Sequence, residues 1–185
     1  MSALVFAVLL VSAALHASWN AIVKGGSDTL LTTVLVAGSA ALVGLLGLPF
    51  LPPVAAAAWP YLGLSALSQI GYYALLAAAY RSADMSRAYP LMRGLPPLLV
   101  ALVSTLALGA ALPLLGWAGV LMISLGLLGL AIGGSGRGMM FALGNAFVIA
   151  AYTLVDSFGV RASGAAATYT MWIFVLTGLP PLVWA

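Results

Sequence analysis

Apolar residues fall in long blocks along this chain, separated by short clusters of polar, glycine and proline residues. Leu98 to Leu108 and Val120 to Ile132 are near-continuous apolar runs with no period of two. Strands of a membrane barrel would alternate apolar and polar over roughly 10 residues. The pattern therefore predicts helices, and a helix needs about 20 residues to cross a bilayer core.

Cut at the polar clusters, the chain divides into about seven such segments. The first runs from about Ala3 to Val23 and ends at Lys24-Gly25-Gly26-Ser27-Asp28-Thr29, where Ser27 or Asp28 is placed to cap the next helix. The second covers about Leu30 to Leu51 and stops at Pro52-Pro53. The third, about Trp59 to Tyr80, leads into Arg81-Ser82-Ala83-Asp84-Met85-Ser86-Arg87, the most charged connection in the chain. The fourth, about Tyr89 to Ala110, holds Pro90 and Pro96-Pro97, so its first half is expected to be kinked or unwound. The fifth spans about Leu114 to Gly133, the sixth about Met139 to Gly159, and a seventh starts near Ala166. The sequence stops at Ala185 inside an apolar stretch, which is taken as the mark of an incomplete chain.

Composition agrees with this pattern, since 64% of residues are hydrophobic and 5% are charged, and no water-soluble fold of 185 residues hides that much apolar surface. The expected fold class is all-α membrane, a polytopic bundle of transmembrane helices. Met1-Ser2-Ala3-Leu4-Val5 has no basic leader, so the first segment is expected to be a retained span rather than a cleaved signal peptide. Without cysteine, and with one histidine and three acidic residues, the chain offers no disulfide, no thiol nucleophile and little for a metal cage. No cofactor is expected. The six basic residues are scattered and form no stripe, which argues against nucleic acid as a partner.

Polar groups inside apolar spans are costly and usually face a cavity or a partner, so they are the candidate functional residues. His16, Trp19, Asn20 and Lys24 recur at steps of three and four, along one helical stripe. Imidazole exchanges a proton near neutral pH, indole gives a flat wall, and carboxamide both donates and accepts. The competing account has His16 bonded to a backbone carbonyl, Trp19 at the interface and Lys24 reaching the headgroups. Tyr89 and Arg93 are four apart beside the prolines. The Arg93 guanidinium either is held by freed backbone carbonyls or receives a carboxylate or phosphate from a substrate. Asp156, four residues after Tyr152, is the one carboxylate in a proposed span. It serves either as a structural ion pair with Arg161 or Arg93, or in proton coupling. Gln69, Tyr72, Tyr73 and Tyr80 make a second stripe, attributed to packing or interface anchoring. Gly119, Gly126 and Gly133, spaced by seven, offer a face for close helix packing, within the chain or against a second copy in a homodimer.

Three segments carry a family resemblance: His16-Ala17-Ser18-Trp19-Asn20-Ala21-Ile22-Val23-Lys24; Ala88-Tyr89-Pro90-Leu91-Met92-Arg93-Gly94 with Pro96-Pro97; and Ala151-Tyr152-Thr153-Leu154-Val155-Asp156 with Gly159-Val160-Arg161. Together they resemble the EamA-type branch of the drug/metabolite transporter superfamily. The resemblance implies a two-repeat transporter, typically of ten spans, that moves amino acids, metabolites or drugs through a central cavity, usually outward. Trp19-Asn20 and Tyr152-Thr153 are matched aromatic-polar pairs about 133 positions apart. They suggest a five-span repeat, residues 1–134, followed by an inverted and incomplete second copy, residues 137–185, because an odd number of spans turns the second copy over. Spans eight to ten of the family pattern are missing from this sequence.

The expected function is therefore alternating-access transport of a small metabolite, amino acid or drug-like solute in a bacterial inner membrane. Trp19, Asn20, Tyr89, Arg93 and Tyr152 are the expected substrate contacts, and His16 and Asp156 the coupling groups. Two rivals stay open. An intramembrane enzyme acting on lipid would need a convergent acid-base set. A scaffold or assembly subunit would show a dry, fully packed bundle. The positive-inside rule places Lys24, Arg81, Arg87 and Arg137 on the cytoplasmic side, opposite Arg161, with the N-terminus outside, whereas the family more often keeps its N-terminus inside.

Overall fold

A computed structural model of the chain describes the backbone of residues 3–25 and 29–184, without the side chains of residues 9, 16, 17, 19–33 and 181–184. The stripe of His16, Trp19, Asn20 and Lys24 thus lies outside the described side chains. Seven α-helices account for most of what is described: α1 (Ala3–Gly25), α2 (Thr29–Gly47), α3 (Trp59–Ser82), α4 (Met85–Leu106), α5 (Leu114–Ala131), α6 (Arg137–Ser163) and α7 (Ala166–Trp184). Short 3₁₀ turns occupy Leu48–Phe50 and Ala56–Ala58, and the described residues contain no strand.

Four stretches are long and apolar enough to cross a membrane: Ala56–Ser82, Met85–Leu106, Leu114–Ala131 and Arg137–Ser163. Most of their residues are not buried. On α5, Leu115 (84% exposed), Met122 (74%) and Leu130 (64%) would be unsustainable in water and are at home in hydrocarbon. The chain is a multi-pass α-helical membrane protein.

Two compact units are present, residues 1–52 with 170–185, and residues 53–169. They are spatial units; the repeat division at 134 and 137 concerns sequence. In the first unit α1 packs on α2, and α2 approaches α7 through glycines. Gly44 lies against the Met171 carbonyl and Val175, and Gly178 against Ala37 and Ala41, so neither position has room for a side chain.

The second unit is built on α3 packed along α6, with α4 packed on both α5 and α6. Ala79 of α3, Ala88 and Met92 of α4, and Ala142 and Ile149 of α6 form its buried core. Small residues dominate because helices in lipid associate by close backbone approach rather than by hiding apolar surface from water. Gly138 in the first turn of α6 touches the backbone of Ser82 and Ala83. Gly94 of α4 faces Ser124, Leu127 and Leu128 of α5.

Several element boundaries correct the expectations from sequence. The charged segment around residues 81–87 is almost entirely helical: α3 ends at Ser82 and α4 begins at Met85. Asp84 is the reason, because its carboxylate accepts the Ser86 N–H at 3.0 Å and caps α4. Bonding to Ser86, through its backbone and then its side chain, also holds Asp84 below the usual carboxylate range. The cap is present above the ordinary carboxylate pKa and is lost as pH falls through the lowered one.

The fourth span is not unwound either. It is helical from Met85 to Leu106 with Pro90, Pro96 and Pro97 inside it. Those prolines deprive the carbonyls of Ser86, Met92 and Arg93 of their usual donors four residues on. α5 ends at Ala131, so Gly133 lies beyond it at a φ of +80°. There the Arg87 guanidinium donates to the Ile132 carbonyl at 2.8 Å, giving the end of α5 a cationic cap. Gly119 and Gly126 have nothing within 4 Å of an added Cβ, so the glycine face read as packing is open, and α5 meets α4 through Ser124, Leu127 and Leu128 instead.

These contacts separate two glycines by measurement. At Gly94 a Cβ would stand 2.8 Å from Leu127 Cβ and 3.2 Å from the Leu128 nitrogen. Gly94→Val is expected to cost about 1–3 kcal/mol in thermal unfolding in detergent. Gly126→Ala, in open space, is expected to be neutral or to stabilise by up to about 1 kcal/mol. Equal shifts would show that α4 and α5 are not seated on Gly94.

Candidate functional site

Helical spacing brings the polar side chains of α3, α4 and α6 toward one another within the second unit. On α3, Ser65, Gln69, Tyr72, Tyr73 and Tyr80 recur at steps near three and four, which keeps them on one side of the helix. Tyr72 meets Tyr73 edge to face at 5.2 Å between ring centroids, and meets Tyr152 of α6 at 6.4 Å with an interplanar angle of 87°. Edge-to-face pairs set the positive rim of one ring against the negative face of the other.

Arg93 of α4 is half-buried against this aromatic wall. Its guanidinium carbon lies 5.5 Å from the centre of the Tyr89 ring, one turn earlier on the same helix. Tyr72, Tyr89 and Tyr152 are the groups that act on it electrostatically. Tyr80 belongs to the same group of charges and phenols. Among the described residues no carboxylate forms an ion pair with Arg93. A cation facing phenols in this way is stabilised by ring faces and hydroxyl oxygens, which leaves its charge without a countercharge.

Farther along α6, Asp156 does not pair with Arg93 or Arg161 among the described residues, as the structural reading from sequence had it. The Tyr169 hydroxyl, from the first turn of α7, donates to the Asp156 carboxylate at 2.9 Å. Ser65 of α3 approaches the same carboxylate, and the Gln69 amide donates to the Ser65 hydroxyl at 3.1 Å. Gly159 makes this possible, because the fully buried Tyr169 ring lies directly over its backbone where any side chain would stand.

A third polar group is sealed between α4 and α6. Asn145 is fully buried, its amide nitrogen donates to the Met92 sulfur at 3.0 Å, and its Oδ1 has no partner among the described residues. Turning the amide over would face oxygen to sulfur and orphan the nitrogen instead, so one end is unsatisfied in either orientation.

Of the residues singled out from sequence, Tyr89, Arg93 and Tyr152 come together, and Asp156 stands one turn from Tyr152. Trp19, Asn20 and His16 lie outside the described side chains. Tyr72 and Tyr80, expected to pack or to anchor at the interface, do pack against the buried core, and they also stand near Arg93. Ser65, Asn145 and Tyr169 were not singled out. For Asn145 the signal was available, an amide in the middle of an apolar segment. Tyr169, in the first turn of α7, carried none.

If Asn145 is kept for something other than stability, Asn145→Leu should unfold within about 1 kcal/mol of the parent or above it in detergent, since it removes an unsatisfied group at similar volume. A drop well beyond that would make the amide a stabilising contact. Compared with protein-family models, with curated proteins and with solved structures, the chain matches none.

Proposed function

We propose that this protein is a secondary transporter of a small solute bearing a carboxylate or phosphate, which Arg93 receives among Tyr72, Tyr89 and Tyr152. The observation that carries this reading is Arg93 itself: a half-buried cation in a span, faced by phenols and by no carboxylate among the described residues. A solute anion supplies the missing countercharge, and the planar guanidinium fork suits both candidate groups. The tyrosines add flat apolar surface for the body of the solute and hydroxyls that both donate and accept. On the sequence alone, Trp19 and Asn20 belong to the same proposal as substrate-binding residues and His16 as a coupling group. Alternating access in a bacterial inner membrane, with a second repeat, is the form that the EamA-type resemblance gives it.

The test is uptake of radiolabelled organic acids, amino acids and sugar phosphates by the purified chain in liposomes, with counterflow to detect exchange. Loss of a charge-assisted contact of about 1.5–3 kcal/mol should lower the apparent affinity of Arg93→Gln for the transported anion roughly 10- to 100-fold, with Arg93→Lys in between. Uptake by Arg93→Gln equal to the parent, or no anion-dependent uptake by the parent, overturns the reading.

A further inference from the structure

The chain passes between its two compact units twice, at residues 52/53 and 169/170. Both crossings are tied to the same part of the second unit, the C-terminal portion of α6. At the first, the Ala55 N–H donates to the Ser163 carbonyl at 3.1 Å. At the second, Tyr169 seats on Gly159 and donates to Asp156 at 2.9 Å. Ser163 itself caps the turn between the helices: its hydroxyl accepts the Ala165 N–H at 3.1 Å, and Gly164 follows at a φ of +64°. Tyr169, the last residue of the second unit, is thus the root of the α7 segment that enters the first.

We propose that Asp156 is a proton-binding site, and that its protonation loosens the root of α7. The inference deepens the transport reading and rests on it for what the loosening accomplishes. The groups facing Asp156 are Tyr169 from α7, Ser65 from α3 with Gln69 behind it, and Tyr152 from its own helix. All are uncharged at neutral pH. Arg93 of α4 reaches Tyr152 and does not act on Asp156 directly. Arg161, on α6 itself, is exposed and does not pair with the carboxylate. A guanidinium or ammonium partner would hold the carboxylate charged through any change of solution, whereas neutral hydroxyls do not. An ionised carboxylate in a span is costly, and such groups are a recurrent basis of proton relays.

The step is a simple one. Asp156 takes one proton from hydronium, leaving water, and its charge goes from minus one to zero. The bond from Tyr169 then changes from a charge-assisted contact to a neutral one of about half the strength. Gly159 gives the Tyr169 ring no side chain to lean on, so the hydroxyl bond is the polar element of the seat.

Hydrogen exchange of the backbone amides at residues 165–172 in the liposome-reconstituted chain tests this, read as protection after correction for intrinsic rates. Lowering pH from about 8 to about 5 should reduce protection roughly tenfold in the parent. Asp156→Asn, which keeps shape and abolishes the charge, should be low and flat across pH, and so should Tyr169→Phe. Protection that is flat with pH in the parent overturns the proposal, even if both variants are loosened, because the tie would then be structural. A parent profile unchanged in Asp156→Asn overturns it as well, by assigning the pH response to another group. Since exchange is read rather than transport, a chain that moves no solute still gives an answer, and the Arg93 uptake assay decides that question separately.

Discussion

Three prolines remove three backbone donors from α4, in a layer where lipid offers no replacement. A helix so depleted persists only if protein covers it, and α4 is covered on both sides, by α5 at Gly94 and by α6 at Ala88 and Met92. The close approach follows from side-chain size: Gly94 lets the α5 backbone in, and Ala79, Ala88 and Ala142 keep the core narrow. Everything polar in the second unit is placed by this arrangement. Arg93 and Met92 are neighbours on a helix that cannot rotate or slide without driving Gly94 out of its seat.

The polar groups held in this way are unevenly satisfied. Asp156 has a good donor, Arg93 has ring faces and hydroxyl oxygens in place of a countercharge, and Asn145 has a thioether and one unanswered end. In a membrane interior such shortfalls are expensive, and a bundle selected for stability alone would have filled them with leucine. They stand along α4 and α6 beside the Tyr72, Tyr73 and Tyr152 rings, and α5 adds one more, the buried Ser124 hydroxyl, which has no partner among the described residues.

The helices themselves were legible in the sequence because hydrocarbon makes an apolar run of sufficient length nearly unambiguous. Their ends were less so. Residues 81–87 looked like a loop on charge density, yet a capping aspartate and two residues of non-helical chain suffice to turn it. The prolines of α4 do not unwind it, since their effect depends on neighbours that no local pattern reveals. The same holds for the glycines: a spacing of seven marked Gly119, Gly126 and Gly133, of which only Gly133 has a neighbour within 4 Å of an added Cβ, Arg87, whereas Gly44, Gly94, Gly138 and Gly178 meet residues far off in sequence that no spacing reveals. Tyr89 with Arg93, and Tyr152 with Asp156, were found because four residues make one helical turn. The Asp156–Tyr169 bond crosses a helix–helix turn, and nothing in the spacing announces it.

The seat of Tyr169 on Gly159 ties the history of two positions together. A side chain acquired at 159 excludes the ring, and a lineage that loses the ring leaves Asp156 without its donor. A change at any one of the three positions therefore alters the setting of the other two.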